Sequence, residues 1–416
     1  MSETLSPQPW MAHPGTLAVM AALTAAGGEG AARFVGGCVR NAVLGAPARD
    51  IDIATVLTPP RVTAALETAS LKAVPTGLDH GTVTAVAHGK PFEITTLRRD
   101  VETDGRRAVV AFTDDWAQDA ARRDFRLNAL YADAGGRIFD PTGNGLSDAR
   151  AGAIVFVGDP ATRIAEDALR IPRYFRFLAW YGRGEPDAAA LAACRDHRDL
   201  VRTLSAERIG HEVMTLLEAD DPRRAVRLMA EAGVLALLVP GPGDVARFEA
   251  LVEIETGMLF ECEPLLRLAA LLPHDPKAAA AAAARLRLAN AQRDRLAAAL
   301  GEAPALVSWM SPRQTRQAVY RLGAETFSDR VMLAWAGAKR PAAAVQWRAL
   351  LPMARSWRRP VLPLTGQEVM AAGVPEGPMV GAVLREVEAW WIDSDFTDDK
   401  LSVVERLKAV AQGMAY

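Results

Sequence analysis

Strand-type patterning is confined to the front of this 416-residue chain, which limits where a sheet can be built. The runs ARFVGG (31–36), IDIAT (51–55), GTVTAVA (81–87) and FEITTL (92–97) are short and separated by helical stretches and Gly or Pro breaks. After about residue 160 Ala, Leu and Arg recur at helical spacing, interrupted by GPGD (241–244), PHDP (273–276) and the prolines near 360. The alanine run 278–284, flanked by RLRL, reads as helix and not as linker. The expected fold class is an α+β head with a small mixed sheet over 1–150, then an all-α neck over 151–240 and an all-α body and tail over 241–416.

Cys38, Cys194 and Cys262 form no CxxC pair and no even framework, which argues against a disulfide scaffold and against structural zinc. The opening MSETLSPQPWMAHPG carries an acid and prolines where a signal peptide needs a basic stretch and an apolar one. No uncharged apolar run is long enough for a membrane span, so a cytoplasmic protein without a membrane partner is expected. Net charge is only -2, yet residues 281–360 hold fourteen Arg and Lys against four Asp and Glu, together with Trp309, Tyr320, Trp335, Trp347 and Trp357. That mixture suits either contact with phosphates and exposed bases or a solvated helical face over a tryptophan-rich core. Nothing in the sequence fixes the oligomeric state.

The stretch GGCVRNAVLGAPARDIDIAT (36–55) concentrates the chemistry. On a strand, Asp50 and Asp52 project from one face while Ile51 and Ile53 enter the core, and two adjacent carboxylates are best tolerated around divalent cations such as Mg2+. Gly36 and Gly37 let backbone approach a ligand closely, and the following short helix offers its N-terminal amides and Arg40 to phosphate oxygens. Gly45 is a fitting C-cap for that helix. The alternative, an ordinary turn beside a charged edge strand, fits each half alone but less well the strand, GG, helix and DxD in sequence.

GGCVRNAVLGAPARDIDI resembles the signature of the class II tRNA nucleotidyltransferase and poly(A) polymerase group of the DNA polymerase β superfamily. TLRRD (96–100), ARRDFRLNALYAD (121–133), FDPTGNGLSDARAGAIVFVGDP (139–160), EDALRIPRYFRFLA (166–179) and SAERIGHE (205–212) resemble further motifs of that group in order. PLTGQEVMAAGVPEGPMVG (363–381) is similar to a C-terminal element of CCA-adding members. The resemblance implies Mg2+-dependent addition or repair of the tRNA 3'-terminal CCA from CTP and ATP, with the basic helical stretch binding tRNA. Poly(A) synthesis and partial CC or A addition share the same head and neck. A silent RNA-binding protein and a nucleotidyltransferase for small acceptors are the more distant readings.

Phosphoryl transfer needs positive charge around the metal site, which Arg122 and Arg123 supply, with Asp124 expected to orient them and Asn128 to tie the segment to the active strand. Glu93 is a candidate third carboxylate. Asp167, Arg170, Arg173 and Arg176 stand at three-residue steps, as on one slowly drifting helical stripe, where Asp167 and Arg170 suit a Watson–Crick edge. In the group resembled, that pair selects CTP and ATP without a template, and Arg173 and Arg176 would face the triphosphate.

The chain departs from the group at Asn41, where many members carry Asp, so Asn41 is given no catalytic role. Pro172 is expected to kink the recognition helix. His274 and Asp275 lack the partners of an HD phosphohydrolase and read as a capped turn. The other histidines are scattered, with His80 a weak candidate for lining the nucleotide pocket.

Overall fold

The structure, a computed structural model, describes residues 3–48, 50–77, 81–103, 108–241, 244–302, 305–338 and 343–413, which leaves His80 outside the described residues. Among the described residues nine strands are formed: β1 (Ala32–Val35), β2 (Asp52–Thr55), β3 (Lys72–Gly77), β4 (Thr82–Ala87), β5 (Lys90–Thr96), β6 (Arg98–Thr103), β7 (Ala108–Phe112), β8 (Tyr131–Ala132) and β9 (Ile138–Phe139). Seven make one sheet in the order β3-β4-β5-β2-β1-β8-β9, and β6 and β7 form a separate hairpin. Within that sheet β2 and β5 run parallel, which sets Asp52 directly beside Glu93.

One face of the sheet is apolar, with Phe34, Ile53, Val83, Phe92 and Ile94 almost wholly buried. Helices α1 (Pro14–Gly27) and α3 (Pro59–Thr68) pack on the sheet, and α2 (Gly37–Leu44) leads out of β1. The period of two sends Asp52, Thr82, Glu93 and Thr95 to the opposite face.

The segment after the sheet holds α4 (Trp116–Ala121), a 3-10 turn (Arg126–Asn128) and α5 (Gly145–Ala151). Asp140 organises the FDPTGNG turn by accepting from Thr142, Gly143 and Leu146. From α6 (Pro160–Glu166) through α7 (Arg170–Tyr181), α8 (Ala188–Asp196) and α9 (Ala206–Leu217) onward the described chain is helical. Phe125 joins the RRDF segment to these helices, its ring 4.9 Å from both Phe156 and Phe177.

Residues 1–240 with 284–287 form one compact unit, and 241–283 with 288–416 another. The alanine run lies in a helix (Pro276–Arg285), and Asp275 accepts from the Lys277 amide as a simple turn cap. Tyr320, Trp335 and Trp347 are buried and Trp357 packs against a core cluster, so most of the aromatic residues in the basic stretch are structural. Trp309 is the exception, 71% exposed. In the PLTG element Thr365 and Glu368 form a reciprocal helix cap, which Lys400 reinforces. Among the described residues no helix is long and apolar enough to cross a membrane.

A β-carbon on Gly145 would lie 2.5 Å from the Arg126 carbonyl oxygen. Gly145→Ala is expected to push α5 off the Arg126–Asn128 turn and cost about 2 kcal/mol. Chemical denaturation checks this, and an unchanged midpoint contradicts the packing.

Candidate active site

Asp52 opens β2 and is half-buried, while Asp50 stands just ahead of the strand and is exposed. The strand is therefore shorter than the DIDI alternation suggests, although Ile51 and Ile53 do turn into the core as expected. Asp52 and Glu93 line a cavity of about 610 Å3 with Thr82, Arg98, Arg122 and Arg123. Burial, then the charges of Glu93 and Asp50, push the Asp52 carboxyl up to about 6.

A divalent cation among these oxygens would relieve that repulsion, so the donor set fits a hard metal ion. Among the described residues no three His, Cys, Asp or Glu side chains already converge on one point. Asp50 and Asp52 would thus supply part of a coordination shell and ligand oxygens the rest. Glu93 would add a further carboxylate beside Asp52 in the same cavity.

Gly36 has φ +69° and ψ -123°, a conformation open to glycine, at the entrance to α2. Gly37 begins the helix, and Gly45 ends it in the left-handed region as expected. Arg40, expected at phosphate oxygens, has protein partners. It is 7% exposed and spans the unit interior, donating to Asn128 Oδ1 (2.5 Å), Tyr181 Oη (2.7 Å) and Asn41 Oδ1 (2.9 Å). Asn41, set aside in the sequence, is therefore an anchor for Arg40, and its amide also donates to the Pro47 carbonyl.

Arg122 and Arg123 both reach the cavity, but Asp124 does not orient them. Asp119, one turn earlier on α4, accepts from both (2.7 and 3.0 Å) and from the Tyr131 hydroxyl (2.7 Å). Asp124 instead binds Arg173 Nε (3.0 Å) and Asn128 Nδ2 (3.0 Å). Burial alone would raise its carboxyl, yet Arg173 and these bonds hold it down at about 2. Asn128 bridges Arg40 to Asp124, so its tie runs to α2 and α7 and not directly to the aspartate strand.

The segment 166–176 is not one helix. α6 ends at Glu166, Asp167 has extended backbone, and α7 begins at Arg170. Pro172 is the third residue of α7, where its missing amide hydrogen costs little, so the expected kink is absent. Asp167 pairs with Arg208 Nη2 on α9 (2.9 Å), while Arg170 pairs with Glu166 (2.7 Å) and donates to the Arg122 carbonyl (3.1 Å). Arg173 and Arg176, expected to face the triphosphate, are paired with Glu212, and Arg173 also with Asp124. Glu166, Arg208 and Glu212 stand inside the quoted motifs, but their partners become visible only in three dimensions.

A parallel pair of carboxylate strands, a Gly-Gly turn and flanking arginines define a nucleotidyltransferase head on a helical neck. Residues 32–155 match the poly A polymerase head domain, and 185–243 match the probable RNA and SrmB-binding site of polymerase A. The chain is 30% identical over 394 residues to the human mitochondrial CCA tRNA nucleotidyltransferase 1, covering 90% of this chain and 86% of the relative. It is also 30% identical over 383 residues to the CCA-adding enzyme of Levilactobacillus brevis, covering 90% and 92%. The crystal structure of the Bacillus stearothermophilus CCA-adding enzyme in complex with CTP superposes with a TM-score of 0.73 at 26% identity, over 96% of this chain and all of the other. The chain belongs to the CCA tRNA nucleotidyltransferase family.

Folded Asp52 keeps its proton up to about pH 6, whereas an unfolded aspartate loses it near pH 4. Between those values the native state binds the extra proton, so stability falls as pH rises, and above about 6 the whole penalty is present. Asp52→Asn is expected to stabilise the metal-free protein at pH 8 by about 1–3 kcal/mol, a gain that fades towards pH 4. Urea midpoints at the two pH values check this, and no gain at pH 8 contradicts it.

Proposed function

We infer that this chain adds or repairs the 3'-terminal CCA of tRNA from CTP and ATP, releasing pyrophosphate. The observation that carries the reading is the pairing of Asp52 with Glu93 in one cavity with Arg122 and Arg123, in a chain similar along most of its length to CCA-adding proteins. Asp50 and Asp52 are the residues that would hold Mg2+, which supplies activation of the attacking hydroxyl and charge for the leaving pyrophosphate. Arg122 and Arg123 neutralise phosphate oxygens, and Gly36 and Gly37 let the backbone approach them. The tRNA 3'-oxygen bonds to the α-phosphorus as the bond to pyrophosphate breaks.

Base reading by Asp167 and Arg170 requires each to exchange a protein partner, Arg208 or Glu166, for the base. Arg40, Asn128, Arg173 and Arg176 then hold the frame between turn and neck, in place of contacting the nucleotide directly. Arg348, Arg355 and Arg358 are exposed with no carboxylate in ion-pair reach among the described residues, and with exposed Trp309 they suit the tRNA backbone. By contrast Arg295 and Arg316 are spent on Asp329 and Asp395. Cys38 and Cys194 are buried thiols, which suits a reducing compartment such as the cytoplasm.

Gel-resolved extension of tRNA transcripts ending before CCA, after C or after CC tests the reading, with Mg2+ and CTP, ATP or both. Stepwise growth that stops at CCA is expected, and Asp50→Ala should lower the rate at least ~100-fold while tRNA affinity stays within ~2-fold. A long A ladder would mean poly(A) synthesis, and C-only or A-only products a partial enzyme. No product from wild-type protein that binds tRNA would leave only an RNA-binding role.

A further inference from the structure

We propose that Asp119 is a positioning residue for triphosphate recognition, one that aims Arg122 and Arg123 into the cavity of Asp52 and Glu93. The inference rests on the nucleotidyl-transfer reading of that cavity and adds to it a residue that never touches the nucleotide. Asp119 lies on α4, a helix of barely two turns whose spacing presents it to the residues three and four positions later. Its side chain is 1% exposed, so it cannot serve as a ligand itself.

Oδ1 accepts from Arg122 Nε (2.9 Å) and forms an ion pair with its Nη2 (2.7 Å), and Oδ2 accepts from Arg123 Nε (3.3 Å) and Nη2 (3.0 Å). The Tyr131 hydroxyl donates to Oδ2 (2.7 Å) and the Arg98 amide to Oδ1 (3.3 Å). Each guanidinium is thus gripped along one edge. The grip leaves Nη1 of Arg123 turned to the Gly-Gly turn, 3.7 Å from where a β-carbon of Gly36 would stand. Two guanidiniums on one carboxylate also leave a net positive charge facing the cavity. A lone arginine could swing away, but two held on one buried acid present a fixed anion receptor. Burial works against the Asp119 charge, and Arg123 and Arg122 outweigh it, holding its carboxyl below the usual range.

Asp119→Asn keeps the shape and removes the charge. It is expected to raise the KM for both CTP and ATP about 10-fold or more, and to weaken binding of inorganic tripolyphosphate in proportion. The KM for tRNA should stay within ~2-fold, because the RNA contacts are not routed through the arginines. In an Arg122→Ala/Arg123→Ala background the same change should add less than ~2-fold, because its effect passes through those two arginines. Tyr131→Phe removes one donor without altering charge and should raise the nucleotide KM about 3-fold, which keeps the test open if Asp119→Asn does not fold.

The proposal is overturned if Asp119→Asn, or Tyr131→Phe in its stead, leaves nucleotide KM unchanged, or if nucleotide and tRNA binding fall together with the unfolding midpoint. If Arg123→Ala itself has no effect on tripolyphosphate binding, the cavity reading beneath the proposal fails first.

Discussion

The parallel register of β2 on β5 is the constraint on which the site depends. It brings two acidic side chains from residues forty-one positions apart in sequence into adjacent places on one sheet face. Water does not fully screen them there, and Asp52 responds by holding its proton to about 6. Such an arrangement is unfavourable for an empty protein and favourable for one that gathers cations and phosphates. Ile53 and Ile94, next to the acids on the same strands, make the apolar contacts with the core that hold the strands in place against that repulsion.

Arginine chemistry then divides by partner. Arg122 and Arg123 share one buried acid and keep an edge towards the cavity, so they remain available to anions. Arg40, Arg173 and Arg176 are hydrogen-bonded into a chain that runs from α2 through Asn128 and Asp124 to Glu212 on α9. That chain makes the Gly-Gly turn and the 166–176 segment parts of one packed assembly, with the aromatic contacts of Phe125 beneath it. Asp167 and Arg170 sit between these cases, each in a partly exposed ion pair that a base could replace at modest cost.

Local pattern made the α+β head, the helical remainder, the Gly-Gly turn with its Gly45 cap and the carboxylate cluster legible in the sequence. Parallel pairing was not, because nothing within IDIAT or FEITTL encodes which strand lies beside which. The protein partners of Arg40 were not legible because a motif does not report burial, and Asn41, Asn128 and Tyr181 come from three separate segments. Pro172 misled for a different reason. EDAL consists of acceptable helix formers, so the break at Asp167 is invisible until its pairing with Arg208 is seen. Asp119 was within reach, since DAARRD places it three and four residues before two arginines at helical spacing.

The most direct test of the central claim is anomalous diffraction from crystals soaked with CTP and Mn2+. Metal density is expected between the carboxylates of Asp50 and Asp52, with the triphosphate lying along Gly36 and Gly37 and within reach of Arg122 and Arg123. Metal held by other side chains, or a triphosphate seated outside this cavity, would contradict it.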